Sequence, residues 1–314
     1  MLVHFVLLFA TYIIERFMNA TMRTQLLTIC ALAGLAISGC KTAEAPYDNE
    51  AADTAAVFFA PEILSKDKFE INALFNVSGD ELIYAQCKDD FSHCTLMASK
   101  FESGKWQPAE ALPFSGDYLD ADPYYSVDYQ FMYYVSKRPL PGTKGETKNV
   151  NIWRVARTNN GWGEPEYMAL LNSPENDLYP TLTANGDLYF PSFREGRREM
   201  YVAEANGQGF SAPKPLPRHI YGDGAAIGDS VMLRDGKRII FSMRRADSLG
   251  KGDLYVSDKV DGQWTVARHL GPLVNTEDHE FTPIVSDDGK YLFFTRIENG
   301  KGNVYQISMK ALGL

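Results

Sequence analysis

One pattern occurs five times along the chain and limits the folds open to it. A polar turn of Asp, Asn and Gly type leads straight into a short apolar strand, as in "SDDGKYLFFTR" (286–296). Its relatives are "LRDGKRIIFSMR" (233–244), "TANGDLYFPSFR" (183–194), "SVDYQFMYYVSKR" (126–138) and, with a shortened turn, "SGDELIYAQC" (78–87). Asp, Asn and Gly tolerate the backbone angles of a tight reversal. A second strand follows each copy, marked by Leu96, Ile152, Met200, Leu254 and Val304. The markers recur about every 50 residues, the period of a small multi-stranded unit.

A third element, a polar turn with an aromatic, follows four of the copies: "SGKWQP", "NNGWGEP", "NGQGFSAP" and "DGQWTVA". The last copy ends at Leu314 without it. Its counterpart, "FFAPEIL" (58–64), lies at the other end and matches "WQPAEAL" (106–112) in order and chemistry. Each unit therefore predicts about four strands. Apolar residues run consecutively in the middle strands, as in Leu292-Phe293-Phe294, which suits sheets covered on both faces. The fold class expected is all-β: a five-bladed β-propeller over 57–314, closed by an N-terminal strand that completes the last blade. The aromatics Phe59, Trp106, Trp162, Phe210 and Trp264 recur with the period and read as core packing.

The repeat resembles that of TolB-type and WD-repeat-like propellers of bacterial envelopes. Their unit reads roughly E-F-x-P-x-x-S-x-D-G-x-x-L-x-F-x-S-x-R, then an I-Y strand, then G-W-x-x-P. The best copy here is "EFTPIVSDDGKYLFFTR" followed by "NVYQI". The match drifts: Tyr129 replaces the turn Gly in the second blade, and Ser230 stands where the family has Pro. Such a motif specifies architecture and says little about activity.

Residues 1–40 read as targeting sequence rather than fold. Residues 1–21 look like a mis-called extension before Met22. Residues 22–40 combine a short basic start, an apolar run and "ISGC", which resembles a bacterial lipobox. That resemblance implies lipidation of Cys40. Lys41, rather than Asp, implies sorting to the outer membrane, with the domain facing the periplasm. Residues 41–56 are Ala-rich and acidic and read as a flexible tether. Export to an oxidising compartment permits a disulfide between Cys87 and Cys94 across a short loop.

Net charge is −9, which argues against nucleic acid as a partner. Histidine and cysteine spacings give no metal site, and no cofactor motif is present. Nine residues before each turn Gly, or its equivalent, stand Glu70, Asp120, Asp177 and Glu280. Blade four has Ile227 there, with Asp223 and Asp229 near by. Arg138, Arg194, Arg244 and Arg296 follow the next strand to the same rim. Two readings stay open: Arg–carboxylate pairs holding strand ends together, or a polar ring gripping an envelope protein or glycan. Both hold if blade four leaves Arg244 unpaired. The basic loops 137–149 and 244–253 share that rim and would suit an anionic partner. "GDS" (228–230) reads as chance, and His279 as a loop histidine rather than a base. The function expected is a non-catalytic, lipid-anchored, monomeric binding module. The alternative is a glycoside hydrolase or lyase using the rim carboxylates.

Overall fold

The computed structural model describes residues 45–64, 67–207, 209–223 and 227–314. The extension, the signal sequence and Cys40 lie outside the described residues. Five small antiparallel sheets form a ring. Each packs on the next in chain order, and the fifth packs on the first. Blade five orders its strands Glu280–Val285, Tyr291–Glu298, Lys301–Ser308 and, from the other end of the chain, Val57–Phe58. Val57 pairs with Gln306 and Phe58 with Tyr305, so the closure read from the sequence is present. In blades one, two and four the outermost strand is split into two short pieces, both paired to the third strand.

The turns form as their sequences dictate. In blade five Ser286 Oγ donates to Asp288 Oδ1 (2.7 Å) and accepts from the Tyr291 amide (3.0 Å), while Gly289 takes φ +72°. Blade two builds the same turn from Ser126 and Asp128, with Tyr129 at φ +57°. A tyrosine is strained there. Its ring is held 5.1 Å from that of Tyr125, and packing keeps the turn in place.

The core is a ladder of aromatics at one register of each second strand: Tyr84, Tyr134, Phe190, Phe241 and Phe294. None exceeds 2% exposure, because each is covered by a neighbouring blade. Losing one such ring to Ala costs about 3–5 kcal/mol. At the closing seam Phe59 packs edge-on to Phe75, Phe293 and Trp106. Phe59, Trp106 and Trp264 are buried as expected, whereas Trp162 and Phe210 are only half-buried.

Part of the segment read as a tether is packed. Tyr47 is buried against Phe75, Tyr291 and Phe293, and Gln306 Nε2 donates to its carbonyl (3.0 Å). Residues 50–53 form a turn of 3-10 helix with Ala52 fully buried. One aromatic anchors what composition alone marks as loose. Cys87 and Cys94 face each other across their hairpin and are joined by a disulfide (S–S 2.01 Å).

Candidate functional site

At the rim where the inner strands begin, the acids and arginines of blades two, three and five form one recurring staple. Arg138 Nη2 donates to Asp120 Oδ1 (3.0 Å) and to the Phe114 carbonyl (3.0 Å). Arg194 Nη2 donates to Asp177 Oδ1 (2.9 Å) and the Leu171 carbonyl (2.7 Å). Arg296 donates from Nε to Glu280 Oε1 (2.7 Å) and from Nη2 to the Val274 carbonyl (2.7 Å). Each carbonyl belongs to the connector leaving the preceding blade, so each staple ties blade to blade. The acids also accept from a connector hydroxyl: Ser115 to Asp120, Ser173 to Asp177 and Thr276 to Glu280. Each guanidinium lies over an aromatic of the third strand, Trp153, Tyr201 or Tyr305. All three carboxylates are fully buried. The ion-pair reading therefore describes these six residues. Little of them is left to face a ligand.

Two connector asparagines, not singled out in the sequence, complete the device. Asn172 accepts from the Ile152 amide (2.6 Å) and donates to its carbonyl (2.8 Å); Asn275 does the same for Leu254 (2.7 and 2.9 Å). Their signal is the recurrence of Asn-Ser/Thr four or five residues before the acid, in "NSPEND" and "NTEDHE".

Blades one and four differ. Glu70 is buried opposite Gln86, and the disulfide ties the neighbouring strands at that end. In blade four Ile227 pairs with Met243, so Arg245, not Arg244, stands two residues past the pair, as Arg138 and Arg194 do in blades two and three; in blade five Arg296 instead pairs directly with Glu280. Arg245 lies over Tyr255 and bonds Asp247 and the Ala267 carbonyl. That contact holds the Asp247 carboxyl down at about 2. Arg244, just past the end of the strand Arg238–Met243, is exposed, with no ion-pair partner among the described residues. The buried acid of this blade moves to the third strand: Asp253 accepts from His269 Nε2 (2.7 Å) and the Leu249 amide (2.6 Å).

A second layer, of which the sequence marked only Asp229, lies two residues along each inner strand. It comprises Asn72, Asp122, Tyr179, Asp229 and Thr282. A bulge places it: Ile71 pairs with Ala85 but Leu74 with Ile83, and blades two, four and five repeat the slip. Four of the five residues have positive φ. Asn72 Nδ2 donates to Tyr179 Oη (3.0 Å), which donates to the Pro283 carbonyl (3.0 Å). Blades one, three and five meet in this chain of bonds, so Tyr179 lies across the ring axis. Its amide donates to Asp122 Oδ2 (3.2 Å). Arg198 pairs with Asp229 (3.2 Å). Burial, and then the nearby charge of Asp229, pushes Asp122 up to about 8.

The remaining motifs are structural. Ser230 of "GDS" is fully buried with its hydroxyl on Met200 Sδ (2.9 Å). His279 stacks on Phe281, and burial lowers its pKa. The loop 244–253 docks on blade five: the Lys251 amide donates to Asp278 O and the Glu280 amide to Gly252 O. Gly250 and Gly252 allow that approach, since an added Cβ would meet Asp278 O at 2.2 Å or the His279 ring at 2.5 Å.

Among the described residues no helix is long and apolar enough to cross a membrane. No protein-family model and no curated protein matches the chain. Several solved structures are similar at low identity. A protein of unknown function from Dyadobacter fermentans is 13% identical over 82% of this chain and 83% of its own, with a TM-score of 0.48. A protein designated TolB from Agrobacterium tumefaciens is 13% identical over 76% and 75%, with a TM-score of 0.43. A puromycin hydrolase is 15% identical over 77% of this chain but 36% of its own, with a TM-score of 0.45. The five-bladed ring is the arrangement read from the five repeats, and a β-propeller is what their TolB-type resemblance implies.

Proposed function

We propose that the chain is a lipid-anchored propeller of the cell envelope that binds a protein or envelope polymer at its rim face, without catalysis. One observation carries this reading. The repeated staples are internally satisfied, and blade four departs from them by presenting Arg244 to solvent. An exposed guanidinium suits a carboxylate or phosphate of a partner. The lipid anchor rests on the lipobox at Cys40, and an outer-membrane address facing the periplasm on Lys41. The hydrolase or lyase alternative is disfavoured, because Glu70, Asp120, Asp177 and Glu280 are all buried. Glycoside hydrolysis needs carboxylates open to sugar and water.

The test is a photo-crosslinking residue in place of the exposed Ala246, near Arg244, in intact cells. A discrete adduct that disappears in Arg244→Ala supports a rim partner. Absence of any adduct with Arg244 in place overturns the reading. Metabolic labelling with an alkyne fatty acid should mark the wild-type chain and not Cys40→Ala.

A further inference from the structure

Arginine staples hold the rim where blade two meets one, three meets two and five meets four. The seam between blades five and one is held differently. Glu70 pairs with Gln86, and two residues past that pair stands Lys88 rather than an arginine. Lys88 opens the loop 88–93, which the Cys87–Cys94 disulfide closes.

That loop reaches out of its own blade. Lys301 of blade five donates to both carboxylate oxygens of Asp89 (2.7 and 2.6 Å). The Phe91 ring packs edge-on to Phe69 of blade one (4.6 Å between centroids) and to Phe281 of blade five (6.1 Å). Phe69 also lies against the backbone of blade five at Gly302, where an added Cβ would meet its ring at 2.6 Å. Phe69 and Phe281 are buried, whereas Phe91 is 37% exposed and forms the outer side of the cluster.

The hairpin has little need of the covalent bond, since its ladder already runs unbroken from Glu81–Lys100 to Gln86–Thr95. The loop does need it. Phe91 takes φ +55°, a costly conformation for a residue with a bulky side chain. Closing a short loop removes the alternatives into which it would relax.

We propose that the disulfide hairpin of blade one is a redox-dependent clasp on blade five. It closes the ring at the rim, as the strand Val57–Phe58 closes it at the outer edge of blade five. Oxidised, the loop pins Asp89 and Phe91 to the neighbouring blade. A dithiol opens it. One thiolate of the reagent attacks the sulfur of Cys87, the less buried cysteine, and Cys94 leaves as a thiolate that takes up a proton. The second thiol of the reagent then displaces Cys87, so the reagent ends as a disulfide and both cysteines as thiols. Phe91 leaves its left-handed conformation and uncovers Phe69 and Phe281. The clasp rests on neither Arg244 nor the lipid anchor.

The experiment follows hydrogen exchange by mass spectrometry in the full chain, before and after reduction with dithiothreitol. Reduction should speed exchange in blade-five peptides spanning 279–285 and 299–304 by about tenfold, as expected from losing two aromatic contacts. Peptides of blade three, 188–203, should not change. The double variant Asp89→Ala/Phe91→Ala, with its disulfide intact, should speed exchange in the same blade-five peptides. Reducing that variant should then add less than about twofold there, because both changes remove one interaction. The proposal is overturned if reduction loosens only 81–100 and leaves blade five as it was. Full additivity of the two effects overturns it too, as does equal acceleration in blade three, which would mean global unfolding. Should the double variant fail to fold, the contrast between blades five and three in the reduced wild type still decides.

Discussion

Blades four and five have the same strand order and similar turns, yet they handle charge oppositely. In blade five Glu280 is locked by Arg296 and Thr276, and Arg296 also bonds a connector carbonyl. In blade four an isoleucine takes the acid's place, the buried carboxylate shifts to Asp253, and one arginine of an adjacent pair is left in solvent. Periodic charge in this ring holds blades together. Departure from the period in blade four leaves a cation at the surface.

The sharpest way to break the comparison is Arg296→Met. It leaves Glu280 buried with Thr276 as its remaining side-chain donor. Removing one partner of a buried ion pair typically costs about 3–5 kcal/mol. Urea denaturation should show a loss of that size. A loss below 1 kcal/mol would mean that the staple is ornamental and that rim acids are free for other roles.

Next in size is Asn275→Ala. It strips the Leu254 amide and carbonyl of their side-chain partners at a fully buried residue. Two unmet backbone groups predict about 2–3 kcal/mol of destabilisation. Asn172→Ala in blade two should match it, since the geometry is the same. A large difference between the two would show that His269, which also contacts Asn275, carries part of the blade-four joint.

How much of this was legible beforehand follows from what each residue does. Closure by 58–64 could be read because a missing strand leaves a gap in a periodic list. The disulfide could be read because its loop is short and local. The staples could be read as pairs, but "MRR" could not reveal which arginine points inward; only the Ile227–Met243 register does that. The axial layer was invisible for a related reason. A bulge of one residue turns Asn72, Asp122, Tyr179 and Thr282 toward the axis, and their identities share no pattern. Tyr47 was hidden inside a segment whose composition argued for looseness.

The axial layer has its own pH signature. Asp122 is raised from 3.8 to about 8 in the fold, with Asp229, Arg198 and Tyr179 facing it. Between those values the folded state holds a proton that the unfolded chain has lost. Stability from this group is therefore complete below about pH 4 and is lost as pH rises toward 8, by up to about 1.4 kcal/mol per pH unit. Asp122→Asn should flatten that slope in urea midpoints taken from pH 5 to 8. An unchanged slope would place Asp122 in a wetter setting than the axis provides.

The smallest effect tests blade four directly, by setting its two adjacent arginines against each other. Arg244→Ala should change stability by no more than about 0.5 kcal/mol, as expected for an exposed side chain without a partner. Arg245→Ala should cost more, about 1.5 kcal/mol, because it releases the Ala267 carbonyl, Asp247 and the Tyr255 ring together. If the two variants behave alike, side-chain direction at the end of this strand has been assigned wrongly. The exposed guanidinium then ceases to distinguish blade four, and the rim-binding proposal fails with it.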